Sequence, residues 1–137
     1  MELIFANCSG GTHGKTCTFV AASDIKKNRL VTFVNGKVKL SAANENPFGI
    51  SLDEVSAGER VAVQFIGGNE TVLLESLGAI APGSIPVLAA EGNVTTTPAT
   101  DGTYLQIGIA IGSSTGTGDF VEILPFSMPF ATVVVAE

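Results

Sequence analysis

Apolar and polar residues alternate with a period of two in several places along the chain. The clearest cases are Arg60-Val61-Ala62-Val63-Gln64-Phe65, Phe48-Gly49-Ile50-Ser51-Leu52 and Ile107-Gly108-Ile109-Ala110-Ile111. Successive side chains of an extended backbone point to opposite faces, so this pattern predicts strands, with Val61, Val63 and Phe65 on one face. By the same reasoning Val61, Val63, Ile109, Ile111, Val121 and Ile123 are expected to point inward. Runs rich in Val, Ile, Thr and Phe predict further strands over residues 3–7, 18–21, 30–34, 38–41, 72–76, 85–88, 94–97, 120–124 and 132–135. Turn signals punctuate them at Asn35-Gly36, Gly67-Gly68-Asn69, Pro82-Gly83, Glu91-Gly92-Asn93 and Asp101-Gly102. Residues 70–77 could pass for a helix, but the run is short and bracketed by Gly68 and Gly78, which favours a strand. At most one helical turn is expected, over residues 53–57. About a dozen short strands predict an all-β fold, a compact barrel or sandwich.

The pattern also recurs along the chain. When residues 24–65 are laid on residues 79–125, Ile25 meets Ile80 and Leu30 meets Ile85. Gly36-Lys37-Val38 then meets Gly92-Asn93-Val94, and Gly49-Ile50-Ser51-Leu52 meets Gly108-Ile109-Ala110-Ile111. Gly58-Glu59-Arg60-Val61 meets Gly118-Asp119-Phe120-Val121, and Val63 meets Ile123. Each copy reads as a small antiparallel unit too thin to cover its own apolar face, and two such units can pack into one core. The expected organisation is an N-terminal arm over 1–23, a duplicated β body over 24–126 (units 24–66 and 79–126) and a C-terminal tail over 127–137.

Composition narrows the function. The 137 residues make one ordinary domain or two small lobes, and 45% hydrophobic against 15% charged residues supports a real core. The net charge of −6 disfavours nucleic-acid binding, which needs a basic surface to displace counterions. Six of the seven Lys and Arg residues lie at or before Lys39, and none follows Arg60. The start Met1-Glu2-Leu3-Ile4-Phe5 lacks the basic region and long apolar run of a signal peptide. No apolar stretch approaches the roughly 20 residues that span a bilayer, so no membrane partner is expected. Two cysteines, Cys8 and Cys17, make no disulfide framework, and free thiols in a reducing cytoplasm are the expectation. Asn7-Cys8-Ser9, Asn69-Glu70-Thr71 and Asn93-Val94-Thr95 match the glycosylation pattern and are read as chance.

Little in the chain points to catalysis. Ser9 to Thr16, ending Gly14-Lys15-Thr16, resembles a phosphate loop, but Ser9 stands where the first glycine is needed. Cys17-Thr18-Phe19-Val20 follows as strand rather than the helix whose N-terminus would hold a phosphate. Cys8, His13 and Cys17 are zinc-ligand types, but the spacing lacks a tight Cys pair and Asp24 is the nearest candidate for a fourth ligand, so no metal is assigned unless oligomerisation gathers several copies. His13 is the only histidine, and a base must be held firmly to work. The carboxylates of Asp53 and Glu54 sit where a solvated turn is expected. With no Trp and one Tyr, the chain is poor material for a sugar site. The expectation is no enzyme, no catalytic residue and no cofactor.

The stretch Asp24-Ile25-Lys26-Lys27-Asn28-Arg29-Leu30-Val31, with Pro47-Phe48-Gly49-Ile50-Ser51-Leu52 and Ala57-Gly58-Glu59-Arg60-Val61-Ala62-Val63, resembles the small phage capsid decoration, or cement, proteins. Leu77 to Val87, Gln106 to Ile111 and Gly118 to Ile123 continue the resemblance, which covers roughly residues 24–126. It implies a β-rich, commonly trimeric virion protein that binds the outer surface of a phage head and braces it, with the major capsid protein as partner. The expected location is the capsid exterior, reached from the host cytoplasm during assembly. The family has no catalytic motif, and its pattern does not extend to the arm with Cys8, His13 and Cys17 or to the tail from Pro125. Other readings are a phage tail or appendage β-protein, or a small-ligand-binding β-barrel.

Two surfaces are expected to make contacts. Glu2, Leu3, Ile4 and Phe5 form a short strand outside the repeat, which Ser9 to Gly14 would let swing toward the capsid. Phe120 and Leu124 stand where the first copy has Arg60 and Gln64, so a subunit interface is expected there.

Overall fold

The computed structural model describes residues 7–8, 16–66 and 70–136. Thirteen strands occur among them and no α-helix. The first set is β1 (Asn7–Cys8), β2 (Thr16–Val20), β3 (Leu30–Val34), β4 (Lys37–Leu40), β5 (Gly49–Ser51) and β6 (Arg60–Phe65). They form one antiparallel sheet in the order β1-β2-β6-β5-β3-β4. A parallel bridge between Ala21 and Val38 brings the β4 end back to the end of β2, so the sheet curls on itself. Its interior is lined by Ala21, Ile25, Val31, Val38, Val61 and Val63.

The second set is β7 (Val72–Glu75), β8 (Val87–Leu88), β9 (Val94–Thr95), β11 (Gly108–Ala110) and β12 (Phe120–Pro125). The order β11-β12-β7 makes one sheet and β8-β9 a ribbon. A parallel bridge from Ser76 to Val94 joins them, as Ala21 to Val38 does in the first set. A further ribbon pairs β10 (Gly102–Leu105) with β13 (Thr132–Val135). Through Leu105 and the neighbouring Phe130 this region joins the second apolar cluster, which includes Leu74, Leu88, Ile107 and Ile123.

The same backbone bonds occur in both halves. Ile25 and Val55 exchange a pair of hydrogen bonds, and so do Ile80 and Ser114. The Ala21 N–H donates to the Glu59 carbonyl at 2.8 Å, and the Ser76 N–H donates to the Asp119 carbonyl at the same distance. Gly58 and Gly118 both take left-handed φ, +88° and +92°. Each donates its N–H to the bridge residue, Ala21 or Ser76. The separation runs from 55 (Ala21 to Ser76) to 60 (Gly58 to Gly118).

Most predicted strands are present, β3, β6 and β13 with unchanged ends. Residues 70–77 hold the strand β7 (Val72–Glu75) and no helix, as the flanking glycines indicated. Residues 53–57 make no helical turn; Val55 instead bridges to Ile25. β10 was not anticipated, because Asp101-Gly102 reads as a turn while Gly102 in fact opens a strand.

The inward set needs one correction. Val61, Val63, Val121 and Ile123 are buried, but Ile109 and Ile111 face outward and are exposed. Gly108 and Ala110 are the inward residues of β11. A Cβ at Gly108 would collide with the Leu124 carbonyl and Pro125 Cα of β12. The inner side of β11 thus has no room for a large residue, and its isoleucines turn out. Gly49 is confined in the same way by Val63 and Gln64.

Candidate interaction surfaces

The sheet β11-β12-β7 has one face on the core and one outside. Outward residues are Leu73, Phe120, Leu124, Ile109 and, just past β11, Ile111. Leu124 is half-buried and Phe120 is 46% exposed. Glu122 sits among them and accepts a hydrogen bond from the Thr71 hydroxyl at 2.5 Å. At the matching ladder positions of the first half, β6 presents Arg60, Ala62 and Gln64, and β2 presents Thr16, Thr18 and Val20. One outer face is therefore largely apolar around two carboxylates, the exposed Glu122 and the half-buried Glu75 opposite Phe120, and the other is largely polar. Phe120 and Leu124 do lie on one face, as expected. The sequence reading missed Leu73, Ile109 and Ile111 beside them, because the β11 isoleucines had been placed inside.

A second exposed apolar patch lies at one end of the first half. Phe19, Phe33, Phe48 and Phe65 gather there. Phe33 stacks on Phe48 with ring centroids 4.0 Å apart, and Phe19 meets both edge-on. Phe33 is 53% exposed. Each of these residues reads as an ordinary strand hydrophobe in the sequence, and only the ladder brings them together.

Between the halves lies a buried charge. The Arg29 guanidinium donates to the Glu75 carboxylate at 2.7 Å and to the Glu91 carbonyl at 3.2 Å, while its Nε is buried with no partner. A bound charge of this kind fixes how two surfaces fit more than it adds net stability. On the surface, Asp119 closes the turn before β12. The Thr115 N–H, the Thr115 hydroxyl and the Gly116 N–H donate to its carboxylate and hold it below the usual aspartate range. Glu45 is held low chiefly by the Ala42 N–H and then by Lys39, 3.0 Å away.

The cysteine expectation is overturned. Cys17 is disulfide-bonded and buried. It stands opposite Cys8, the chain's other cysteine, across the β1–β2 ladder. A nine-residue spacing looks unpaired in sequence, but a hairpin brings its ends face to face. Bonded in this way, Cys17 is no thiolate ligand, which removes it from the Cys8–His13–Cys17 zinc set. His13 and the residues expected to contact the capsid, Glu2, Leu3, Ile4 and Phe5, lie outside the described residues. Asn7 and Cys8 pair with Thr18 and Cys17, so the chain is tied to its own sheet at this point.

Among the described residues no three His, Cys, Asp or Glu side chains come together as a metal site. Asp53 and Glu54 are exposed and bring no partner for paired-carboxylate chemistry. A trough beside the Lys39–Glu45 ion pair is lined by Ala22, Asp24, Ser41, Ala57 and Glu91, without the aromatic walls of a small-ligand site.

No curated protein matches the sequence. Among solved structures, the fold is similar to the crystal structure of the head fiber gp8.5 N base of bacteriophage phi29. The TM-score is 0.66 at 18% identity, covering 81% of this chain and 92% of that one. A family model described as phage cement protein matches residues 11–125, which takes in residues 11–23 of the arm, where no resemblance was expected, as well as nearly all of the β body. The chain therefore belongs to the phage cement protein family, a family of phage virion structural proteins.

Proposed function

We propose that this protein binds the outer surface of a phage head and stabilises the shell, without catalysing a reaction. The observation that carries this is family membership over residues 11–125, in a chain whose β11-β12-β7 sheet leaves an apolar face uncovered. A protein that braces a shell needs a rigid body and contact surfaces rather than a pocket. The partner is the major capsid protein. The phi29 relative's description as the base of a head fiber fits a seat on the head better than one on the tail.

In this reading the body is a homo-oligomer, taken as a trimer, with Phe120 and Leu124 in the subunit contact. Its two halves are copies of one unit. The shared bond pattern supports starting the first copy at Thr16 rather than Asp24. Glu2, Leu3, Ile4 and Phe5 contact the capsid. A short strand has little stability alone and gains hydrogen bonds at another sheet's edge. The protein is made in the host cytoplasm, and the Cys17 disulfide suits the oxidising medium that released particles meet.

Two experiments test this. A variant lacking residues 1–6 should keep its β circular dichroism but pellet poorly with undecorated heads. Full binding by the folded truncation would remove the attachment role of Glu2 to Phe5. The Phe120→Ser/Leu124→Ser variant should sediment as a smaller species than wild type; unchanged sedimentation would remove these residues from the interface.

A further inference from the structure

We propose that copies of this chain join head to tail, repeating between chains the contact that the two halves already make within one. In that contact the outward residues of β3 and β5 on the first half, Leu30 and Ile50, are 0% and 2% exposed. They share one apolar cluster with Leu74, Leu88 and Ile107 of the second half. Gly92, at the tip of the β8–β9 connection, lies so close to Leu30 that a Cβ there would strike its backbone. The Gly92 N–H donates to the Ser41 carbonyl at 2.8 Å, and the Glu75 N–H donates to the Asn28 carbonyl at 3.0 Å.

Ladder positions identify the counterparts of these residues. The Phe48 N–H donates to the Val31 carbonyl, and the Ile107 N–H donates to the Pro86 carbonyl, both at 3.0 Å. That sets Leu30 against Ile85. Ile50 pairs with Gln64 and Ile109 with Leu124, which sets Ile50 against Ile109. Phe33 faces Val38 and Leu88 faces Val94, each across from the residue of the parallel bridge. So the knob of the first half, Leu30 and Ile50, reappears on the second half as Ile85 and Ile109, 39% and 36% exposed. The socket of the second half, Leu74, Leu88 and Ile107, reappears on the first half as Phe19, Phe33 and Phe48. The knob and socket used inside the chain are occupied, whereas Ile85, Ile109 and Phe33 of their counterparts are exposed and Phe19 and Phe48 are half-buried.

The charges follow the same logic. Arg29 of the occupied knob pairs with Glu75 and reaches the Glu91 carbonyl. Its counterpart on the bare knob is Ser84, since the Ser51 N–H donates to Arg29 and the Ala110 N–H to Ser84. The counterparts of Glu75 and Glu91 on the first half's socket are Val20, by its pairing with Arg60, and Asn35, which shares the left-handed φ of Glu91. The cation and both acids are missing together, so closing the faces buries no counterpart of Arg29 unpaired, while Lys37, at the position of the buried Asn93, has to carry its ammonium out to the rim. The occupant is therefore a second copy of this chain. Because one face binds a different face, the contact is heterologous, and a ring is its closed form. Three chains would set six similar units around one axis. This deepens the self-association proposed above and does not depend on capsid binding.

The test uses full-length protein and two variants, Phe33→Asp (socket) and Ile85→Asp/Ile109→Asp (knob), each checked for native circular dichroism. By sedimentation, wild type should be a closed oligomer and each variant alone a monomer. Mixed, the variants should form a 1:1 dimer and stop there, since one good knob and one good socket remain. Phe33→Ser and Ile109→Ser, milder changes, should weaken association at least tenfold if an aspartate variant misfolds. An unchanged oligomer in either aspartate variant, or no dimer on mixing two folded variants, would overturn the head-to-tail contact. A monomeric wild type at 100-fold dilution and at high concentration alike would overturn it too. If Phe33→Asp were destabilising only when residues 1–6 are present, the socket would belong to the chain's own first residues. Pelleting with heads is scored separately: association without capsid binding would refute the cement role and leave this inference standing.

Discussion

The two halves carry the same hydrogen-bond pattern but differ at both their surfaces and their ends. The first half has a polar outer face at β2 and β6 and an open end lined by phenylalanines. The second has an apolar outer face at β7, β11 and β12, while its interior is closed by Leu30, Ile50, Leu105 and Phe130. A backbone pattern that tolerates both arrangements sets only where side chains point. What each face meets is then decided residue by residue, as at Arg60 against Phe120 and Leu30 against Ile85.

The shared interior of the halves can be broken most severely by a buried charge. Val63→Asp and Ile123→Asp each place a carboxylate at a position with 0% exposure. Either should cost on the order of 4–5 kcal/mol, most of a small domain's stability. Thermal melts should show the whole chain lost in one transition from either substitution. A melt in which only the substituted half unfolds would contradict a body held together across Leu30 and Ile50.

The joint between the halves is the next target. Glu75→Gln leaves the buried Arg29 guanidinium without its carboxylate and should cost about 3 kcal/mol in urea unfolding. Arg29→Met/Glu75→Leu should recover most of that loss, since no charge remains to be paired. A double variant as unstable as Glu75→Gln would mean that the pair contributes more than orientation.

A smaller contrast separates the two crowded glycines. Gly108→Ala drives a methyl into the backbone of β12, whereas at Gly49 the first obstacle is the Val63 side chain. Both should destabilise by about 1–3 kcal/mol, Gly108→Ala by more. Equal losses would show that the Val63 side chain yields no better than backbone. The smallest effect concerns acid. Asp119 has a lowered folded-state pKa, so its contribution is present above the unfolded aspartate range and is lost as pH falls through the lower, folded value. Asp119→Asn should therefore narrow the stability difference between pH 7 and about pH 3. An unchanged acid profile would remove the turn's carboxylate from that role.

Much of this was legible in the sequence because period-two alternation maps directly onto faces. Arg60 to Phe65 gave its strand and its buried pair Val61 and Val63 without ambiguity. Ile109 and Ile111 were misplaced because the alternation runs unbroken from Ile107 to Ile111 in sequence, whereas Ile107 precedes β11 and is buried while the other two are exposed. Here the crowding at Gly108 decides, and that is a tertiary contact. The Phe19–Phe33–Phe48 cluster was invisible for a related reason, since its members come from β2, β3 and the residue before β5. The Cys17 disulfide was missed because spacing was weighed against cysteine number rather than against a hairpin's register. That Phe120 and Leu124 share an outer face was legible because laying residues 79–125 on residues 24–65 set them against Arg60 and Gln64.

The cement role is tested most directly by adding purified protein to undecorated phage heads and heating them while recording binding and shell opening. Saturable binding on the outer surface, seen by electron microscopy, with shells that open at a higher temperature than bare heads is the predicted result. Heads that bind no protein, or that bind it and open at the same temperature as bare heads, would contradict it.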